Sequence, residues 1–139
     1  MLDHALVVWG QECGTVTHLP FSMPVITAGS AGGAIKTGSY CDYRNLGRQL
    51  SGDSTTGTET SNVNSGLIYS QWLTTALLAM GVPQSEWAET THPGYGARVT
   101  YGGQSDYFFT NQGFTDTDCY TDAMWQKTGE ILPLLNAAG

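Results

Sequence analysis

Basic side chains are scarce in this sequence. Lys and Arg together number 5, against 12 Asp and Glu, so the formal net charge is −7 at pH 7. A protein that binds nucleic acid needs clustered Lys and Arg to neutralise phosphates. Anionic membrane surfaces attract clusters of the same kind. The composition therefore predicts neither a nucleic-acid partner nor a membrane partner.

The sequence also has no long apolar run and little charge of either sign. No apolar stretch approaches the roughly 20 residues that a membrane-spanning helix needs. The first ten residues carry Asp3 and His4 and have no basic segment, so they do not resemble a signal peptide. Charged residues make up only 12% of the chain, and Gly, Ser, Thr, Asn, Gln and Tyr supply most of its polarity. This composition is typical of a secreted or periplasmic protein, and we expect that location, with the signal lying outside this chain.

The sequence has few cysteines, and their number is odd. The three cysteines, Cys13, Cys41 and Cys119, allow one disulfide and one free thiol. Cys41 and Cys119 both lie in loop-like sequence rich in Tyr and Asp, which favours their pairing and leaves Cys13 free. Three reduced thiols are the alternative, with at least one of them buried.

The apolar pattern predicts a single domain over residues 1–139, of the α/β class, with a small sheet of two to four strands. Leu6–Trp9 is a short β-branched run that predicts a buried strand ending at Gly10. Pro24–Ala28 predicts a second strand, and Ile35–Tyr40 a third that is more exposed. The polar stretch Leu50–Asn64 lacks periodicity, which indicates a surface loop.

Two main helices are predicted. Asn64 or Ser65 is expected to cap the first, which ends at Gly81 before Pro83. Apolar residues at helical spacing predict its buried face: Tyr69, Trp72, Leu73, Ala76, Leu77 and Met80.

The second helix is predicted further along the chain. It begins at Asp116 or Asp118 and runs to about Leu132. Residues 87–112 between the two helices are rich in Gly, Tyr and Thr, which predicts long loops.

A resemblance covers most of the chain, and its most specific part lies at residues 5–40. The chain is similar to the C-terminal signature of a secreted bacterial protein family of unknown function, numbered fifteen fifty-two. The residues that carry the similarity are Trp9, Gly10, Glu12, His18, Leu19, Pro20, Ala28, Gly29, Ala31, Gly32, Gly33, Lys36, Thr37, Gly38, Tyr40, Met80, Gly81 and Val82.

That family is in turn distantly similar to the alkaline phosphatase and sulfatase superfamily. The resemblance implies the C-terminal portion of a larger α/β hydrolase-like domain, with Glu12 at a metal-binding turn and His18 on the connection that follows. The superfamily has two successive metal ligands where this chain has Glu12 and Cys13. Its nucleophile and first metal-binding carboxylates come from an N-terminal half that has no counterpart here.

Three potential metal ligands lie close together after the first predicted strand. Carboxylate, thiolate and imidazole groups all bind zinc or a similar divalent ion, and Glu12, Cys13 and His18 supply one of each. Such an ion polarises an ester oxygen or activates water. The sequence thus predicts a metal-assisted hydrolase acting on a phosphate, sulfate or other ester, with Glu12 and His18 as catalytic residues. The alternative is an exposed Glu, a buried Cys and an ordinary loop His.

Ser30 is a second candidate catalytic residue. It lies in Ala28-Gly29-Ser30-Ala31-Gly32, which is similar to the nucleophile elbow of serine hydrolases. His18 or His92 with an aspartate would complete a serine esterase triad. A glycine-rich structural turn is the alternative explanation. A glycosidase that pairs Glu12 with an Asp is a further possibility.

Aromatic residues in the loops suggest a function of a different class, that of a non-catalytic extracellular module binding a glycan or a protein. The candidate surface consists of Trp87, His92, Tyr95, Tyr101, Tyr107, Phe108 and Phe109. Burial of these rings in the core is the alternative. The expected ligand is a small molecule or a glycan. Because a small piece of sheet exposes strand edges, we also expect a homo-oligomer, most simply a dimer.

Overall fold

The class is mixed α and β, as predicted. The computed structural model describes residues 1–11, 23–46, 49–53, 60–64, 66–88, 90–96 and 120–135. Within these ranges lie two antiparallel hairpins and two α-helices. The elements are β1 (Val7–Gly10), β2 (Val25–Ala28), β3 (Gln49–Asp53), β4 (Thr60–Asn64), α1 (Tyr69–Ala79) and α2 (Asp122–Gln126), with short 3₁₀ turns at Leu2–His4, Arg44–Leu46, Gln84–Glu86 and Lys127–Gly129.

The first hairpin confirms two predicted strands but not their burial. Strands β1 and β2 pair antiparallel in the register Val7↔Ala28, Val8↔Thr27, Trp9↔Ile26 and Gly10↔Val25. All four residues of β1 are exposed, so the prediction of a buried strand is wrong. The described part of the chain packs nothing over this run of apolar side chains, although their pattern is that of a core strand.

The predicted third strand, Ile35–Tyr40, does not form. The amide of Ile35 donates to the carbonyl of Ser30, which closes a turn, and the amide of Lys36 donates to the carbonyl of Leu135. Gly38 has a φ of +72°, which no extended strand allows. The backbone is therefore used by the turn and by the C-terminal segment instead of a sheet.

The predicted surface loop, Leu50–Asn64, contains a second hairpin. Strands β3 and β4 pair antiparallel from Gln49↔Asn64 to Asp53↔Thr60. Backbone hydrogen bonds between strands need no apolar alternation in the sequence, and Thr favours the extended backbone. A prediction from hydrophobic periodicity therefore misses this hairpin.

Helix α1 is confirmed, together with its C-terminal signal. The chain turns at Gly81, where φ is +78°, and the amide of Val82 donates to the carbonyl of Leu77. This left-handed glycine closure is the common end of an α-helix. The predicted caps Asn64 and Ser65 are wrong, because Ile68 is the N-cap residue and Asn64 belongs to β4.

The buried face of α1 also differs from the predicted one. Tyr69 and Met80 are exposed. The residues that α1 buries are Gln71, Trp72, Thr74 and Thr75. The segments packed against α1 present backbone and side-chain polar groups, so hydroxyls rather than aliphatic side chains fill this contact.

The second helix is shorter than predicted. It spans Asp122–Gln126 and continues as a 3₁₀ turn over Lys127–Gly129. Its N-cap is Thr121, whose hydroxyl accepts a hydrogen bond from the amide of Met124 at 3.3 Å. The predicted caps, Asp116 and Asp118, lie outside the described residues. Neither α1 nor any other helix in the described ranges is long and apolar enough to cross a membrane.

Candidate functional site

The predicted metal ligands lie in a part of the chain that the structure does not describe. Glu12, Cys13 and His18 lie in residues 12–22, outside the described ranges. The divalent-metal site and the catalytic roles of Glu12 and His18 therefore stay predictions. Among the residues that the structure does describe, no three His, Cys, Asp or Glu side chains come together as a metal-binding group.

Ser30 is described, and its hydroxyl has two partners. The Ser30 Oγ donates to the carbonyl of Asp3 at 2.9 Å and accepts from the amide of Gly33 at 3.2 Å. A nucleophilic serine needs a base instead, and no His contacts this hydroxyl within the described ranges. The observed contacts support the alternative of a structural turn, and the catalytic role of Ser30 stays a prediction.

The backbone amides beside Ser30 are occupied as well. The amides of Ser30, Ala31 and Gly32 donate to the carbonyls of Leu2, Ala5 and Asp3, respectively. An oxyanion hole needs such amides to be free. Here the three bonds attach the glycine-rich turn to the segment that leads into β1. This turn clamps the end of the first hairpin where β1 begins and β2 ends.

Gly29 permits this clamp. Its φ is +98°, and a Cβ at this position would collide with the carbonyl oxygens of Ala5 and Leu2. Only glycine accommodates both this backbone conformation and this close approach. The glycine-rich pattern is thus explained by packing of the chain against its own N-terminal segment.

His92 lies in the interior. It is 3% exposed, and its ring stands 4.8 Å from that of Trp125 at a tilt of 54°. Its Nδ1 accepts from the amide of Gly94 at 3.1 Å and lies 3.1 Å from the Thr128 Oγ1. Because a backbone amide can only donate, a neutral ring carries its proton on Nε2. That atom has no hydrogen-bond partner among the described residues.

This burial bears on two predicted roles for His92. A catalytic triad and a glycan-stacking surface both need an accessible imidazole, and burial removes it from contact with solvent. Of the other predicted aromatic residues, Tyr95 is exposed, whereas Trp87 is half-buried and donates from Nε1 to the carbonyl of Val82. Tyr101, Tyr107, Phe108 and Phe109 lie outside the described residues.

Three threonines are buried, two on helix α1 and one beside this histidine. Thr74, Thr75 and Thr128 are each 0% exposed. We call these residues and His92 the polar seam. The Thr75 Oγ1 donates to the carbonyl of Gln71 at 2.7 Å and accepts from the amide of Leu132 at 2.9 Å. These bonds hold the C-terminal segment against α1.

The remaining threonines of the seam bind other parts of the chain. The Thr74 Oγ1 accepts from the amide of Tyr95 at 3.1 Å, and the Thr128 Oγ1 donates to the carbonyl of Trp125 at 2.6 Å. Every seam hydroxyl therefore has a partner, so burial of the three hydroxyls carries no uncompensated desolvation cost, whereas the Nε2 of His92 is buried without a partner among the described residues. The seam is a packing element that joins α1, residues 92–95 and residues 125–132.

The first hairpin presents the opposite surface. Since directly paired residues share a face of a sheet, its register places four apolar residues together: Val7, Trp9, Ile26 and Ala28. We call this set the apolar face. Val7 is 55%, Trp9 53% and Ile26 62% exposed. Neither strand contains a charged residue, so these side chains form one continuous apolar surface.

One residue on the other face of the hairpin, Gly10, lies near the start of α1. A Cβ built on Gly10 would stand 3.9 Å from the Tyr69 hydroxyl at the start of that helix. Gly10 shares this face with Val8, Val25 and Thr27. The clamp at Gly29 thus supports the hairpin at its end, and the Tyr69 hydroxyl lies near Gly10 on the face opposite the apolar face.

Charges near residues 41–44 are paired locally. The Arg44 guanidinium binds the Asp42 carboxylate through Nε at 2.9 and 3.0 Å. This hydrogen bonding lowers the pKa of Asp42 to about 2. Arg44 is consequently occupied by its own neighbour, which leaves Lys36 and Lys127 as the other exposed cations among the described residues.

Cys41 is a free thiol, and its predicted partner, Cys119, lies outside the described residues. Beside Cys41, the Tyr43 hydroxyl donates to the carbonyl of Pro133 at 2.7 Å. Burial, together with a hydrogen bond to Cys41, raises the pKa of Tyr43 above its ordinary value. The phenol therefore stays protonated and holds the C-terminal segment.

No family model, no curated protein and no solved structure matches this chain. The similarity to the secreted family therefore stays a prediction from the residues that carry it. The apolar face is a candidate site that was not predicted from the sequence. Its only sequence signal, a run of apolar residues without charge, is also the signal of a buried strand.

Proposed function

We propose that this chain is a protein-binding module whose docking surface is the apolar face of the first hairpin. One observation carries the proposal: Val7, Trp9 and Ile26 are each more than half exposed on one side of a paired, uncharged hairpin. Apolar patches of this kind are typical of surfaces that other proteins cover. Trp9 at the centre is also the residue type most enriched among energetic anchors of interfaces.

The energy available at this face is substantial. Burial of apolar surface contributes about 25 cal/mol per Å². Trp9 and Ile26 are directly opposite each other, so one bound side chain can contact both. A partner that covers the face gains this energy, whereas the isolated chain leaves it unused.

Preorganisation adds to the proposal. The clamp formed by Gly29, Ser30 and the carbonyls of Leu2–Ala5 ties the hairpin to its neighbouring segment. A surface that is already ordered loses less conformational entropy when it binds. The glycine-rich turn thus supports docking without itself contacting a ligand.

Metal-assisted ester hydrolysis, with Glu12, Cys13 and His18 as ligands, is the other function that the sequence predicts. No contact among the described residues favours it over binding. Stoichiometric metal in the purified chain that is lost in the Glu12→Ala variant would favour the hydrolase function.

The binding proposal is tested by selecting random displayed peptides against the immobilised full chain. Selected peptides are expected to bind Ile26→Ser at least about tenfold more weakly, since that variant removes roughly 1.5 kcal/mol or more of apolar contact. Leu46→Ser is the matched control, because Leu46 is a similar aliphatic residue, is 54% exposed and lies outside the hairpin. Selected peptides that bind both variants equally well would overturn the proposal.

A further inference from the structure

We infer that the partner of the apolar face is an extended, cation-flanked peptide segment of another protein, which pairs with the outer edge of strand β1, an edge that no described strand occupies. The inference rests on the proposed function and adds the chemistry of the ligand. Three features of the hairpin carry it: the size of the apolar face, its unpaired strand edge and the charge of the surrounding chain.

The size of the face argues against a second copy of the chain. Complete burial of its four side chains removes on the order of 400 Å² per partner, whereas a stable interface needs about 800 Å². A second copy would also bring a net charge of −7 towards another of −7. A narrow ligand that gains most of its affinity from backbone hydrogen bonds does not need the larger area.

The edge of β1 supplies such hydrogen bonds. Strand β1 pairs only with β2 among the described strands, and its residues Val7–Gly10 make no other backbone hydrogen bond within the described ranges. A strand edge that no described strand occupies, and whose residues all carry amides, is a template for one more strand. Strand β2 is the poorer edge, since Pro24 immediately precedes it and has no amide to donate.

The net charge of the chain favours a ligand with positively charged ends. The apolar face itself is uncharged, but the acidic residues whose exposure is described all face solvent: Asp3, Asp42, Glu86, Asp122 and Glu130. Of the exposed cations, Arg44 is already paired with Asp42. With a net charge of −7 the field of the chain is negative, and it attracts a peptide with Lys or Arg at its ends.

The test uses three synthetic peptides and the full chain. The first has an alternating Val/Thr core with two lysines at each end, the second has glutamates at its ends, and the third is the lysine peptide with N-methylated core amides. Calorimetry is expected to show binding of the lysine peptide and at least about tenfold weaker binding of each of the others. High salt should reduce the difference between the first two, because it screens exposed charge.

Each contrary outcome identifies what fails. Equal binding of the N-methylated peptide overturns the strand pairing, and equal binding of the glutamate peptide overturns the cationic flanks. Either result leaves the docking surface intact if Ile26→Ser still weakens binding. Binding that Ile26→Ser leaves unchanged overturns the proposed function itself, with Leu46→Ser as control. Self-association in sedimentation that Ile26→Ser abolishes makes a second copy the occupant. Trp9-dependent binding to neutral phosphatidylcholine vesicles makes a lipid surface the occupant.

Discussion

The first hairpin and the polar seam distribute polar and apolar groups in opposite ways. On the hairpin, Trp9 and Ile26 are 53% and 62% exposed, whereas in the seam Thr75 and Thr128 are fully buried at 0%. Buried hydroxyls are tolerated because each has a hydrogen-bond partner. Exposed apolar side chains have no such compensation.

The contrast separates stability from binding. Thr74 and Thr75 bond α1 to the segments at 92–95 and 125–132, so changes in the seam should destabilise the fold. The apolar face has no comparable set of partners among the described residues, so changes there should leave folding intact. Four substitutions test this division, from the largest expected effect to the smallest.

Gly94→Ala should be the most destabilising. A Cβ at Gly94 would overlap the Thr128 side chain and stand 2.7 Å from the Ser70 Oγ, and overpacking of this kind costs about 3 kcal/mol. Urea denaturation measures the loss. Gly33→Ala is the control, because a Cβ there meets nothing within 4 Å and only its φ of +89° opposes the change, at about 1–2 kcal/mol. Equal losses for the two variants would contradict the tight packing of the seam.

Thr75→Val should cost about 2 kcal/mol, since it leaves the buried amide of Leu132 without an acceptor. The variant keeps the shape of the side chain and removes only the hydroxyl. Thr27→Val in the exposed strand β2 is the matched substitution, with an expected change within about 0.5 kcal/mol. Similar losses at both positions in thermal unfolding would remove the distinction between seam and hairpin.

Tyr43→Phe should lower the free energy of unfolding by about 1 kcal/mol at neutral pH, because it removes the hydrogen bond to Pro133. The pKa of Tyr43 is raised in the folded chain, so the folded state keeps this proton at a pH where the unfolded state releases it. The contribution of Tyr43 is therefore complete below a pH of about 10 and is lost as the pH rises above that value. Unfolding of both proteins from pH 8 to 11 should show the difference between them shrinking, and a constant difference would be inconsistent with this assignment.

Ile26→Ser should have the smallest effect on folding, within about 0.5 kcal/mol, although it replaces a large apolar residue. Its side chain is mostly in water already, so little buried contact is lost. Differential scanning calorimetry measures this. A loss above about 2 kcal/mol would show that Ile26 is covered in solution, as a core position is.

Sequence patterns located several elements but not their surroundings. The runs at 6–9 and 24–28 and the helix ending at Gly81 were predictable, because β-branched runs and a glycine stop act locally. The hairpin β3–β4 was missed, since strand pairing there is carried by backbone groups and leaves no apolar alternation. The candidate site was not predicted, because the apolar pattern of Leu6–Trp9 indicates a strand in the buried core.

The sequence by itself determined the net charge of −7, the end of α1 at Gly81 and the extended backbone of the first hairpin. These features depend on composition or on a few neighbouring residues. Only the tertiary structure decided that the threonine hydroxyls of the seam are buried and that Trp9 is exposed to solvent. The Thr75 hydroxyl accepts from an amide 57 residues away along the chain, and the Thr74 hydroxyl from an amide 21 residues away. Whether a side chain is covered depends on which distant segments fold against it, and no local pattern carries that information.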